Sequence, residues 1–338
     1  MANPIALSIL EASQAGEARR KALSLASHLG FNETERGKVG IVVTEMANNL
    51  VRHARNGQIV MQVKTKNETL GIEILALDSG PGMHNIDECL RDGFSTAGTS
   101  GSGLGAIARL SNFFDIYSVS DMGTALVAHL WADGTQHKQQ KNKLELGVVC
   151  LPKIGEEVSG DAWTSHQETH RCLLLVADGL GHGSEAAKAS LAAVKVFHEK
   201  AYMSPQAIVE ATHKALQTTR GSALAIAELD LERQIVNYTG IGNIASTILT
   251  SQGNRNMVSH NGTVGYEMRK IQEFTYPWSE GALLIMHTDG LKTQWRLEQY
   301  PGLFHKHPSL IAGILYRDFS RGRDDVTVLV AREEESRE

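Results

Sequence analysis

Val176-Ala177-Asp178-Gly179-Leu180-Gly181-His182-Gly183 is the stretch on which the reading of the second half turns. An apolar run, 171–177, carries an aspartate to its end, and near-alternate glycines follow it. An Asp-Gly pair alone is a common turn signal. The same arrangement recurs, however, at Ser159-Gly160-Asp161, at His287-Thr288-Asp289-Gly290 and at Arg323-Asp324-Asp325-Val326-Thr327. In each case the acid borders an apolar stretch, at a strand end. Carboxylates gathered at such ends repel one another strongly unless a cation lies between them. Oxygen-only donors suit Mg2+ or Mn2+. Two such ions ~3.5–4 Å apart can activate a water and neutralise a phosphoryl group in transfer. His182 inside the loop has two readings, a general acid titrating near neutrality or a loop residue facing solvent.

Working outward, strands are expected at 144–151, 171–177, 223–230, 234–240, 245–250, 282–287 and 325–331. Helices are expected at 184–200, 204–219 and 308–319. Many strands with few crossover helices point to sheets packed on each other and flanked by helices. Upstream, Gly134-Thr135-Gln136-His137-Lys138-Gln139-Gln140-Lys141-Asn142-Lys143 is polar and without apolar periodicity, as a linker would be. The expected division is therefore 1–133, a linker over 134–143, and 144–333.

The first part also mixes helices and strands. A strand at 5–10 precedes helices at 15–29 and 33–54, the first stopping at Gly30. Strands at 59–64 and 70–78 turn at Lys66-Asn67. A helix at 104–113 and strands at 115–120 and 124–130 complete it. No P-loop sequence is present. Three separated pieces stand in its place: Thr44-Glu45-Met46-Ala47-Asn48-Asn49 on a helix, Asp78-Ser79-Gly80-Pro81-Gly82 at a strand end, and Gly101-Ser102-Gly103-Leu104-Gly105 before a helix. Glu45 and Asn49 share one helix face. An amide such as Asn49 can supply an oxygen to Mg2+, which otherwise binds phosphates and water. A buried acid such as Asp78 can accept the adenine amino group. Glycines allow close backbone approach to phosphates, and a helix N-terminus supplies N–H donors. A dinucleotide fingerprint would need a strand leading into the glycines, whereas Ser95–Ser100 is polar.

The composition fits globular domains: 338 residues, 42% hydrophobic and 21% charged. The net charge is −5 with scattered basic residues, which argues against a nucleic-acid partner. Cys89, Cys150 and Cys172 form no metal or disulfide spacing. There is no apolar run of membrane-spanning length and no signal peptide in Met1–Ser13, so a cytoplasmic, membrane-free protein is expected.

The ordered motifs of the first part, followed by Gly123-Thr124, resemble the GHKL ATPase/kinase superfamily. Within it, Ala15–Trp131 resembles the anti-sigma-type serine kinases of bacterial partner switching, and among them the RsbT-like switch kinases. Ala18-Arg19-Arg20, Leu29-Gly30-Phe31 and Asp92-Gly93-Phe94-Ser95-Thr96 also carry this likeness. The resemblance implies a Bergerat α/β sandwich binding ATP with Mg2+. Asn49 would hold Mg2+, Glu45 would act as base or water orienter, Asp78 would read adenine and Met83–Ser102 would form a lid. Gly80, Gly82, Gly101, Gly103, Gly105, Thr124 and Arg109 would line the nucleotide; Arg109 could equally be a surface charge. The second part, with Gly240-Ile241-Gly242-Asn243 added to its acids, resembles PPM-type phosphatases of the SpoIIE and RsbX-like branch. That implies an αββα sandwich with two Mn2+ or Mg2+. Asp178 would bridge them, with the Gly179 carbonyl on one and Asp289 and Asp324 on the other. Asp161 would orient a metal-held water, and Asp325 is the alternative to Asp324. The implied activity is dephosphorylation of phosphoserine or phosphothreonine on a small regulatory protein, an anti-sigma antagonist of STAS-like type. A switch protein or sigma-regulatory component and a homodimeric state are further expectations. In the alternative, the first domain is a nucleotide-gated binding switch without kinase turnover.

Overall fold

The computed structural model describes residues 4–66, 69–90, 103–132, 144–268 and 270–334. Gly101, most of the expected lid and the expected linker lie outside the described residues. The chain packs as two compact units, Met1–Gln140 with Leu297–Arg317, and Lys141–Arg296 with Asp318–Glu338. The sequence reading counted 297–317 with the second part; in the structure this segment packs with the first unit.

The first unit runs β1 (Ile5–Ser8), α1 (Ala12–His28), α2 (Glu33–His53), β2 (Gln58–Lys66), β3 (Thr69–Asp78), α3 (Ile86–Cys89), α4 (Gly103–Leu110), β4 (Phe113–Ser118) and β5 (Thr124–Trp131). Its antiparallel sheet has the order β1-β2-β3-β5-β4. Asn32 starts α2: its side chain accepts from Glu35 N at 2.9 Å while Glu35 answers on Asn32 N at 2.6 Å, a reciprocal cap that satisfies two orphan donors. One sheet face, with Ile59, Met61, Ile72 and Ile74, packs on Ala18, Ala22, Val39, Val43, Met46 and Ile107 of the helices. The helix expected to reach Phe113 ends at Leu110, because Phe113 is already paired with His129 in the sheet.

β3 is buried along nearly its whole length, as expected of a strand covered on both faces. The second cover is Leu297–Arg317. Ser309 Oγ donates to Glu73 Oε2 at 2.6 Å, and a Cβ on Gly313 would stand 3.0 Å from Leu77 Cδ2. Lys306 Nζ bonds Asp115 Oδ1 at 2.9 Å, and the His307 ring lies 4.6 Å from that of Phe113.

The second unit contains β6 (Leu144–Leu151), β7 (Asp161–Gln167), β8 (Arg171–Gly179), α5 (Ser184–Glu199), α6 (Pro205–Leu216), β9 (Ser222–Asp230), β10 (Ile235–Ile241), β11 (Ala245–Thr250), β12 (Gly253–Asn256) and β13 (Ser259–His260). The short strands β14 (Gly262–Thr263), β15 (Glu267–Met268) and β16 (Phe274–Pro277) follow, then β17 (Leu283–His287) and, after helix α7 (Pro308–Phe319), β18 (Val326–Glu333). One sheet has the order β13-β10-β9-β8-β7, with β16 beside β10; the other has β12-β11-β17-β18-β6. Their inner faces meet through Val148, Leu174, Val176, Tyr238, Leu284 and Leu329. The outer face of the first sheet packs Leu173, Leu175 and Ile226 against Ala189, Ala193, Phe197 and Ile208 of α5 and α6. The fold is thus mixed α/β in two units.

Candidate functional site

Each unit gathers polar residues at the ends of its strands. In the first unit, α2 presents Glu45 and Asn49, both half-buried. A Cβ on Gly103, the first residue of α4, would lie 3.1 Å from Glu45 Oε2 and 3.6 Å from Asn49 Oδ1. The first and third sequence pieces therefore meet. Asp78 closes β3 and is 8% exposed; its Oδ1 accepts from Gly80 N at 2.6 Å. Burial pushes this carboxyl up, against the lowering pull of the Gly80 N–H, Arg317 and the Thr124 N–H. The turn after it is pinned to the end of α2, since Ser79 N donates to Arg55 O at 2.9 Å. Gly82 has φ 71°, and a Cβ there would come within 2.1 Å of Val119 O, so a side chain is excluded. Thr124 is the register partner of Asp78, and its Oγ1 bonds Ser118 Oγ at 2.9 Å. Gly105 is buried in α4, whereas Arg109 sits on the exposed side of its last turn.

In the second unit, Asp161 and Asp178 are register partners on β7 and β8. Asp161 is 5% exposed. Its Oδ2 accepts from Thr288 Oγ1 at 2.7 Å, while its Oδ1 is buried with no hydrogen-bond partner. Burial, then the Asp178 charge, hold the Asp161 carboxyl well above the usual range. The Asp178 carboxyl is pushed up to about 7 by burial and by Asp289, Asp324 and Asp325. These acids thus face one another electrostatically, although among the described residues no three His, Cys, Asp or Glu side chains converge into a chelating set.

The supports differ between neighbouring acids. Asp289 Oδ2 accepts from Asn243 Nδ2 at 2.7 Å. Asp325 is buried, with Oδ1 accepting from Lys153 N at 2.8 Å and Oδ2 from Gly160 N at 2.9 Å. Asp324 is half-buried, its Oδ1 accepting from Asp325 N at 3.0 Å. Glycine permits the close approach of the two loops: a Cβ on Gly290 would stand 1.9 Å from Asp325 O. Gly179 lies against α5, where a Cβ would come within 2.1 Å of Ala186 O. Ser222 Oγ donates to the Asp178 carbonyl at 2.8 Å, holding the strand end still. His182 Nδ1 bonds Glu156 Oε1 at 2.6 Å, in an exposed pair at the edge of the loop.

A divalent cation fits this donor set. An orphaned, buried carboxylate oxygen and four mutually repelling acids are groups whose charge a cation would balance. The supporting roles of Asn243, Thr288 and Ser222 were not read from the sequence. For Asn243 and Thr288 a signal existed, since each lies in a glycine-containing strand-end motif; Ser222 gave none.

Residues 10–130 match the model of the histidine kinase-like ATPase domain. A 114-residue stretch is 34% identical to the serine/threonine-protein kinase RsbT of Bacillus subtilis, covering 34% of this chain and 86% of that one. The chain belongs to the histidine kinase-like ATPase family. This ATPase-family chain continues into residues 168–334, which match the stage II sporulation protein E (SpoIIE) model. A 154-residue stretch is 25% identical to the phosphoserine phosphatase RsbX of the same organism, over 45% of this chain and 77% of that one. A crystal structure of RsbX in complex with magnesium shares the fold, with 22% identity, a TM-score of 0.50, and coverage of 59% of this chain and 99% of that one. The family member thus joins a domain similar to the kinase RsbT to a domain that matches the SpoIIE model and is similar to the phosphatase RsbX. No helix among the described residues is long and apolar enough to cross a membrane.

Proposed function

We propose that this protein removes phosphate from phosphoserine or phosphothreonine on a small regulatory protein, under the influence of a nucleotide held in its first unit. One observation carries the reading: half-buried Asp178 is the register partner of Asp161, and partial burial together with the charges of Asp289, Asp324 and Asp325 raises its carboxyl to about 7. In this reading Asp178, the Gly179 carbonyl, Asp289 and Asp324 would hold two Mn2+ or Mg2+. Bound there, the ions supply a nucleophilic water at neutral pH and positive charge for the phosphoryl oxygens. Asp324 is favoured over Asp325 because both oxygens of Asp325 are engaged by backbone N–H groups. Asp161 is fixed by Thr288 with its second oxygen unpartnered, which suits it to orient a water. Asn243 fixes the orientation of Asp289. His182, paired to Glu156 at the surface, is read as a loop residue rather than as an acid catalyst.

In the first unit Asn49 would hold Mg2+ of ATP, Asp78 would read the adenine, and Gly80, Gly82, Gly103 and Gly105 would admit the nucleotide. Glu45 stands beside Asn49 at the mouth of α4, where a base for phosphoryl transfer would be needed. The partner is a STAS-like antagonist or a related switch component, and the site of action is the cytoplasm. The intact chain is assayed on p-nitrophenyl phosphate with and without Mn2+, beside Asp178→Asn. Mn2+-dependent hydrolysis lost in the variant supports the proposal, and equal rates in both overturn it. Radiolabelled ATP with candidate partners then separates a kinase, which labels the partner, from a nucleotide-gated switch, which only binds it.

A further inference from the structure

Arg317 comes from the sequence that lies between two phosphatase motifs, yet it ends inside the nucleotide-binding unit. Its Nη1 donates to the main-chain carbonyl of Asp78 at 2.6 Å. Gly123 is the third member of this contact: it has φ 75°, and a Cβ there would stand 2.0 Å from Asp78 O and 2.9 Å from Arg317 Nη1. No side chain larger than hydrogen fits between them. The backbone of Asp78 is therefore held from one side by a guanidinium, while its carboxyl is held by Gly80 N–H on the other. Arg317 also opposes the rise that burial imposes on the Asp78 carboxyl.

Arg317 belongs to α7, which continues without a break to Phe319. Beyond it the chain is fastened to the Asp289-Gly290 turn. Lys292 N donates to Phe319 O at 2.9 Å, Ser320 bridges Leu291, and Arg321 N donates to Gly290 O at 2.8 Å. Asp324 follows three residues after Arg321. An α-helix rises 1.5 Å per residue with a bonded backbone, so a displacement of Arg317 is carried along α7 rather than absorbed within it.

We infer that Arg317 is a positioning residue of the nucleotide site and that α7 reports the occupancy of that site to the segment carrying Asp324. The inference rests on the nucleotide reading of the first unit given above. A ligand on the Asp78 carboxyl shifts or stiffens the Asp78–Gly80 turn. Arg317 follows the Asp78 carbonyl, and Ser320–Asp325 follow Arg317. The same link runs in reverse, so the second unit's state alters nucleotide affinity by the same factor.

Hydrogen exchange of the full-length chain with and without MgATP tests this, with binding measured by calorimetry in the same samples. In the wild type, MgATP should slow exchange in Ser320–Asp325 by about threefold or more. Arg317→Met should weaken MgATP binding by about tenfold and, at saturating MgATP, leave Ser320–Asp325 unchanged. Arg317→Lys should restore part of both effects, which a purely packing role would not require. Asn49→Ala should abolish the MgATP response. Bound MgATP with unaltered exchange at Ser320–Asp325 in the wild type overturns the inference, as does an Arg317→Met protein that transmits like the wild type. Should Arg317→Met fail to fold, the wild-type and Arg317→Lys results decide. Absence of MgATP binding by the wild type overturns the nucleotide reading and, with it, this one.

Discussion

Asp78 and Asp178 occupy equivalent places: each ends a buried strand and is followed by a glycine-bearing turn. Their surroundings differ in kind. Asp78 has a hydrogen bond from Gly80, a guanidinium near its backbone, and a pKa raised chiefly by burial. Asp178 has Asp161 as its strand partner, Asp289, Asp324 and Asp325 acting on it, and a carboxyl pushed up to about 7. The first acid already accepts one backbone N–H and is opposed by burial rather than by other acids. The second carries an electrostatic debt that only a cation or a proton can settle. Two similar motifs thus diverge in chemistry because of what the fold places beside them.

The sharpest way to break this contrast is to neutralise each acid in turn. Asp178→Asn should lower Mn2+-dependent turnover by about 1000-fold, consistent with loss of a ligand that holds and orients the reacting groups. The same variant should melt at a higher temperature than the wild type when both are metal-free, because a repelling charge is gone. Asp78→Asn should move the melt less, since no acidic neighbour is relieved and an amide oxygen can still accept the Gly80 N–H. Its MgATP affinity should fall by about tenfold in a calorimetric titration. A metal-free Asp178→Asn protein less stable than the wild type would remove the distinction.

A third acid sharpens the comparison, because it is buried and yet fully compensated. Glu73 is 1% exposed. Burial alone would raise its carboxyl, but Lys64, His129 and His307 outweigh it and hold it well below the usual carboxylate range. Burial lowers His129 to about 4, against the raising pull of Glu73, so at neutral pH the 2.7 Å contact is a hydrogen bond with a neutral imidazole. The folded state then binds fewer protons than the unfolded one between about pH 6.5 and 4. Stability contributed by His129 is complete above that window and is lost as pH falls through it. Glu73 adds a loss of the same sign at lower pH. Glu73→Gln should destabilise the first unit by about 2–4 kcal/mol and leave the His129-linked loss of stability undiminished in melts measured from pH 7 to 4, because the substitution removes the pull that raises His129. The smallest effect is expected at the loop edge: His182→Ala should change turnover by less than about threefold, because an exposed pair contributes little. A 100-fold loss there would restore His182 as an acid catalyst.

Much of this was legible in the sequence. The strand-end acids and the three nucleotide pieces stood in recognisable motifs, and the structure places Gly103 beside Glu45 and Asn49. The bonds that engage both oxygens of Asp325, on which the proposed preference for Asp324 rests, were not legible, because Lys153 and Gly160 are remote in sequence. β7 was missed because Asp161-Ala162-Trp163-Thr164-Ser165-His166-Gln167 has no apolar run and pairs only on one side. Helix α7 was read at its observed bounds, but an apolar helix face does not name the surface it covers. One hint lay in β3, whose run from Ile72 to Leu77 is too uniformly apolar for a strand with one wet face. Glu73 in that run was the sign of a buried partner, which proved to include Ser309.

The central claim is tested most directly by calorimetric titration of Mn2+ into the metal-free chain, with Asp178→Asn beside it. Tight Mn2+ uptake by the wild type, weakened by about tenfold or more in Asp178→Asn, is the predicted result. Equal uptake by both proteins, or none by the wild type, would contradict it.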